Sequence, residues 1–171
     1  MSKISPLAFI DPEAKIGENC EIGPFCFIDK NVEIGDNNVL MNSVSVLYGA
    51  RIGNGNVIFP GAVISAVPQD LKFRGEETTA EVGDNNKIRE NVTINRGTAA
   101  KGKTCVGSGN LLMESVHVAH DAFVGNDCII GNGTKLAGEI IIDDHAIISA
   151  NVLMHQFCRV GGYTMVGGGT R

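Results

Sequence analysis

Tryptophan is absent, tyrosine occurs twice, and aromatic residues make up only 5% of the 171 residues. A core without large rings is either small or built from branched aliphatic side chains. Long apolar runs are also missing. The longest reach three or four residues, as in Ile140-Ile141-Ile142, against roughly 20 needed to cross a bilayer, so no transmembrane segment is expected. The opening Met-Ser-Lys-Ile-Ser-Pro lacks the apolar core of a secretory signal. No two cysteines form a CxxC pair, and the five scattered thiols suit a reducing compartment, the cytoplasm, rather than a disulfide framework. Basic residues are outnumbered, with 14 Lys and Arg against 19 Asp and Glu and a net charge of −5. Nucleic acid is therefore not an expected partner. What is present, 43% hydrophobic and 19% charged residues, fits one folded domain. The 22 glycines are the abundance that needs a structural cause.

A six-residue period supplies it. Every sixth residue from Ile10 to Ile64 is a branched aliphatic: Ile10, Ile16, Ile22, Ile28, Ile34, Leu40, Val46, Ile52, Ile58 and Ile64. A second run is Val82, Ile88, Ile94, and a third continues from Val106 in steps of six to Val166. A small or modest residue tends to sit four places after the anchor, as at Ala14, Cys20, Cys26, Ala122 and Cys128. Self-similarity at a fixed period outranks local propensity. Six is no multiple of the helical repeat, but it fits a two-residue alternation broken by a turn. The anchor and the residue four places on then point inward, and the glycine or acid after the anchor is expected to supply the permissive backbone of a corner. Three edges make a triangular coil of eighteen residues, and coils stack about 4.8 Å apart as paired parallel strands. The expected fold is an all-β parallel β-helix, too narrow inside for tryptophan. Cys20, Cys26, Cys128 and Cys158 fall on the small inward position and read as packing residues.

The count breaks twice, within one β-helix domain spanning 1–171. Between Ile64 and Val82 the hexad slots fall on Asp70 and Glu76, which are costly to bury unpaired. Residues 65–81, with the segment Val-Pro-Gln-Asp-Leu-Lys-Phe-Arg-Gly-Glu, are expected to leave the prism as a loop. Residues 95–105, rich in Gly, Lys and Ala, read the same way. Long excursions from a rigid solenoid often carry function.

Phase also sorts the histidines His117, His120, His145 and His155. Residues eighteen apart stack on one edge, so His120, Gly138 and Gln156 form one column at an outward-pointing corner. An imidazole suits a general base, a glycine N–H unscreened by a side chain suits an oxyanion donor, and an amide can orient a substrate. Asp121, adjacent to His120, is placed to fix its tautomer.

The hexads, together with Gln69-Asp70-Leu71-Lys72, Ile88-Arg89-Glu90, His117-Val118-Ala119-His120-Asp121 and His155-Gln156-Phe157-Cys158, resemble the UDP-N-acetylglucosamine O-acyltransferases that open lipid A synthesis. The similarity runs over the whole chain. It implies a left-handed coil, assembly as a homotrimer with sites at the seams, and transfer of a (R)-3-hydroxyacyl group from acyl carrier protein to the sugar 3-hydroxyl without metal or cofactor. By resemblance the base matches His120, its supporting acid Asp121 and the oxyanion donor the Gly138 amide. Contacts to the nucleotide sugar or acyl chain match Asp70, Lys72, His117, His155 and Gln156. The residue matching Gly168 acts as a ruler for acyl length, and its triple-glycine setting is expected one coil or so beyond the catalytic column. Relatives often carry histidine where this chain has Asn95 and Glu139. They also continue into a helical C-terminal domain, so the chain reads as the N-terminal two-thirds of such an enzyme.

Three other readings remain at this point. The N-acyltransferase of the same pathway shares the prism but begins with a uridine-binding domain, whereas hexads here start by Ile10. A zinc hydratase needs three converging histidines, and His145 lies outside the His120 column. An ice-binding scaffold would show regular threonine ladders, and threonine here is scattered.

Overall fold

The computed structural model describes residues 2–171. Among these residues 25 strands of two to four residues each pair in parallel, in three sheets of nine, eight and eight strands. The first face runs from Lys3–Ile4 to Met165–Val166, the second from Phe9–Ile10 to Leu153–Met154, and the third from Lys15–Ile16 to Arg159–Val160. Consecutive strands lie on consecutive faces, and each pairs with the strand one full coil later: Ile4 with Ile22, Ile10 with Ile28, Ile16 with Ile34. The fold is a left-handed parallel β-helix. Among the described residues no helix is long and apolar enough to cross a membrane.

The anchors fill the prism. Ile28, Val46, Ile64, Ile94, Val118 and Leu136 stack inside the second face with no exposed surface. Only the end coils leave anchors partly covered, at Ile10, Ile16, Met154 and Val166. Cys20, Cys26 and Cys128 are buried, but Cys158 is exposed. It occupies the inward slot of the last coils described.

The four-places-on position also holds something besides small residues. Asn38, Asn56, Asn86 and Asn110 form a buried column at the corner between the third and first faces. Each Oδ1 accepts the backbone N–H of the next member: Asn56 at 2.8 Å, Asn86 at 2.9 Å, Asn110 at 2.9 Å, and finally Cys128 at 2.7 Å. The Nδ2 groups of Asn38, Asn56 and Asn110 donate to glycine carbonyls, as Asn38 does to Gly53 at 2.8 Å, and that of Asn86 donates to Asn56 Oδ1. Amides are tolerated in this apolar interior because every donor finds an acceptor.

The corner chemistry differs from the expectation as well. The left-handed residue is the third after the anchor: Asn19, Asn31, Asn37 and Asp121 have φ between 54° and 60°. The glycine directly after the anchor answers a different need. A Cβ on Gly35 would lie 2.8 Å from the carbonyl oxygen of Gly53 in the next coil, so these glycines let the coils approach each other.

Two segments lie outside the strands. The second-face strand Val63–Ala66 is followed by the third-face strand Thr79–Val82, leaving 67–78 between them, and Thr93–Asn95 is followed by Lys103–Val106, leaving 96–102. Both depart at the corner between the second and third faces. They are tied to one another: Thr78 Oγ–H donates to Gly97 O at 2.6 Å, Gly97 N–H to Thr79 O at 3.0 Å, and Thr79 N–H to Gly102 O at 3.0 Å. The Arg96 guanidinium packs over the rings of Tyr48 and Phe73, at 5.4 and 5.3 Å, and pins the longer excursion to the prism.

Candidate active site

His117 and Val118 form a two-residue strand of the second face. Val118 anchors inward, so His117 points out from the face, and the chain turns the corner at His120. The turn is made by Asp121 in the left-handed conformation, φ 60°, a region that aspartate enters more readily than most residues. The Asp121 N–H is held by Thr104 Oγ1 at 2.8 Å. The adjacent side chains meet: His120 Nδ1 lies 2.8 Å from Asp121 Oδ2. A carboxylate only accepts, so this contact places the proton on Nδ1 and leaves the Nε2 lone pair free.

Asp121 is 1% exposed. Its carboxylate also accepts two bonds from Thr98, the N–H to Oδ1 at 2.9 Å and the hydroxyl to Oδ2 at 2.6 Å. Burial pushes its pKa upward, but the bonds from Thr98 and His120 outweigh burial and hold the carboxyl below its ordinary value. The corner places His120 outside the core, yet only 6% of the residue is exposed. The longer excursion covers it, bringing Asp70 Oδ2 to 4.0 Å from Nε2.

His120 opens into a groove of about 570 Å³ on the second face, which His117, Gly138, His155, Gln156 and Gln69 also line. Gly138 stacks against the imidazole. Among the described residues its N–H meets no hydrogen-bond acceptor, because the corner's ladder bonds are made by its neighbours, Ala137 N–H to Met154 O and Glu139 N–H to His120 O. His117 Nδ1 pairs with Thr93 Oγ1 at 2.7 Å. Burial first, then the nearby Lys135 and His120, push its pKa down, so it stays neutral. His155 and Gln156 lie on an end coil and are exposed.

Other candidates fall elsewhere. Lys72 is exposed; its N–H caps Asp70 Oδ1 at 2.8 Å, and it lines a separate cavity of about 190 Å³ with Glu76, Thr98 and Glu139. Gly168 is not above the catalytic column. It stacks on Ala150, whose carbonyl oxygen a Cβ there would meet at 3.3 Å, at the corner between the first and second faces. The reason is phase: eighteen-residue steps from His120 reach Gly138 and Gln156, never Gly168. Asn95 is buried and donates to Val67 O at 3.2 Å. His145 sits at the corner after the third face, 3.9 Å from Asp127 Oδ2 and stacked on Tyr163 at 4.6 Å. Thr93, Thr98 and Thr104 were not singled out by the sequence. Lys135 was legible there, since it pairs in register with His117.

No family model matches the sequence. A curated acyl-[acyl-carrier-protein]–UDP-N-acetylglucosamine O-acyltransferase of Aliarcobacter butzleri (strain RM4018) is 46% identical over 169 residues, which are 98% of this chain and 65% of that relative. A crystal structure of LpxA, a UDP-N-acetylglucosamine acyltransferase from Bacteroides fragilis 9343, is 75% identical with a TM-score of 0.95, covering 97% of this chain and 65% of that one. The UDP-N-acetylglucosamine O-acyltransferase of Moraxella catarrhalis RH4 is 35% identical with a TM-score of 0.79, covering 95% of this chain and 70% of that one. The chain thus spans about 65% of the curated relative it matches. Identity at these levels, spread over nearly the whole β-helix, places the chain in the UDP-N-acetylglucosamine O-acyltransferase family.

Proposed function

We propose that the protein transfers a (R)-3-hydroxyacyl group from the thioester of acyl carrier protein to the 3-hydroxyl of UDP-N-acetylglucosamine, the opening reaction of lipid A synthesis. The observation that carries this reading is the His120–Asp121 pair, at 2.8 Å, with the free Nε2 side of the imidazole at the groove. Family membership supplies the substrates.

Nε2 of His120 takes the proton of the sugar 3-hydroxyl while its oxygen attacks the thioester carbonyl. The Gly138 N–H, unused by the ladder, donates to the resulting oxyanion. Collapse breaks the carbon–sulfur bond, the thiolate takes the proton back from the imidazolium, and the 3-O-acyl sugar and free carrier thiol leave. The neutral His117 and Gln156 contribute polar contacts to the nucleotide sugar or acyl oxygen. Asp70 and Lys72 belong to the loop over the site, and His155 to its outer rim. Neither a metal nor a cofactor takes part.

One prism offers a surface trough, since aliphatic anchors fill its inside. Three prisms side by side would close the trough and supply Gly168 from a neighbour, so the working unit in this reading is a homotrimer. Its compartment is the cytoplasm, which keeps unpaired thiols reduced. The test is His120→Ala in the full-length protein. Turnover of carrier-bound acyl donor should fall by about 10²–10⁴-fold with the fold retained; near-normal turnover would exclude His120 as the base. Light scattering of the same protein should give a trimer, and a monomer at micromolar concentration would exclude that assembly.

A further inference from the structure

We infer that Thr98, on the shorter excursion, is a positioning residue for the His120–Asp121 pair, and that its hydroxyl fixes the rotation of the Asp121 carboxylate. The inference rests on the reading of His120 as the base. Thr98 bridges both carboxylate oxygens, its N–H on Oδ1 at 2.9 Å and its Oγ–H on Oδ2 at 2.6 Å. Oδ2 is also the oxygen that receives His120 Nδ1–H at 2.8 Å. A carboxylate bound only by an imidazole can swing about its Cβ–Cγ bond; one clamped at both oxygens cannot. Thr98 is 7% exposed and Asp121 1%, so water does not compete for these sites, and a bond to an ionised group counts for more there.

The clamp is itself held. Gly97, beside Thr98, is tied to Thr78 and Thr79 through both its carbonyl and its N–H, by Thr78 Oγ–H to Gly97 O and Gly97 N–H to Thr79 O. A Cβ at Gly97 would collide with the backbone of Lys103, so the segment approaches the next strand as closely as backbone allows. On the far side of Asp121, Thr104 Oγ1 accepts its N–H at 2.8 Å and Lys101 Nζ reaches its carbonyl at 3.3 Å. The shorter excursion and the strand it leads into therefore surround the aspartate, and the Thr98 hydroxyl is aimed at the oxygen that orients the base.

Thr98→Val keeps the shape and the backbone N–H but removes the hydroxyl donor; Thr98→Ser keeps the donor. With the full-length enzyme and its carrier-bound donor, Thr98→Val should lower kcat by about ten- to a hundredfold, the rate equivalent of one bond to a charged group. KM for both substrates should stay as in the parent, and Thr98→Ser should restore kcat. Nitrogen NMR of the imidazoles, independent of turnover, should show His120 held as the Nδ1–H tautomer in the parent and in Thr98→Ser, and as a tautomer mixture in Thr98→Val. An unmixed Nδ1–H signal in Thr98→Val would overturn the inference, as would a parent-like kcat or an equal loss in Thr98→Ser. If His120→Ala left turnover untouched, the base assignment would fail, while the tautomer signal would still report whether Thr98 positions the pair.

Discussion

The imidazole of His120 lies where the side chain of residue 138 would be. A Cβ built on Gly138 falls 2.6 Å from His120 Cε1 and 2.7 Å from Nε2, and the backbone there is not in the left-handed region that would itself demand glycine. Glycine is present to make room for the base. Gly138→Ala should therefore push the ring out of line and lower kcat by roughly a hundredfold, with little change in thermal midpoint. Parent-like kcat in this variant, measured by acyl transfer, would mean the ring has another place to sit.

Acid should weaken the site through Asp121. The bonds from Thr98 and His120 hold its pKa below the ordinary 3.8 despite burial, so the folded state binds this proton less readily than the unfolded chain. The stability gained is complete above the ordinary value and is lost as pH falls through the folded one. Asp121→Asn should lower the thermal midpoint at neutral pH and narrow the difference between neutral and about pH 3. An unchanged difference would assign the acid sensitivity to other carboxylates.

The buried asparagine column offers a test of the scaffold away from the site. Asn86 Oδ1 accepts Asn110 N–H, and Asn86 donates twice to Asn56 Oδ1, at 2.9 and 3.0 Å. Asn86→Leu fills the space but leaves the Asn110 N–H buried without an acceptor. The cost should be about 3 kcal/mol, a fall of roughly 10 °C in thermal midpoint, read by circular dichroism. A midpoint within a degree or two of the parent would show that water or backbone adjustment replaces the amide.

Gly168 stands on a different corner from His120, and in the reading above it meets the acyl groove of a neighbouring prism. In the homotrimer proposed above, Gly168→Met should favour shorter donors. Loss of room for four methylenes at about 0.8 kcal/mol each would change preference by over a hundredfold. Competition between long and short acyl carrier thioesters in the full-length enzyme measures it. An unchanged ratio would leave the triple glycine as corner backbone alone.

The anchors made the prism legible, because one side chain in six must be aliphatic if three flat faces are to share a core 18 residues per turn. The same phase arithmetic finds the His120–Gly138–Gln156 column and puts Gly168 on a different corner. It could not find Thr98, since 96–102 lies outside the strands and no period assigns its residues a direction. The asparagine column was hidden for another reason. A polar residue at an inward slot reads as a fault until the chain of Oδ1 acceptors that satisfies it is seen. The glycine after each anchor was visible, but its cause, a carbonyl of the next coil, is a long-range contact.

Both excursions leave and rejoin the prism at one corner, and each adds a whole number of hexads. Ile64 to Val82 is three steps of six and Ile94 to Val106 is two, against one step elsewhere, and the ladder resumes in register with Ile52 and Val82. The edge beneath His120 is thus a splice site. Segments can be lengthened, shortened or exchanged there without rotating any coil above it, whereas six residues removed from a regular edge would turn every later strand onto the wrong face. Variation in what this scaffold recognises has a route that leaves its hydrogen-bonded ladders untouched.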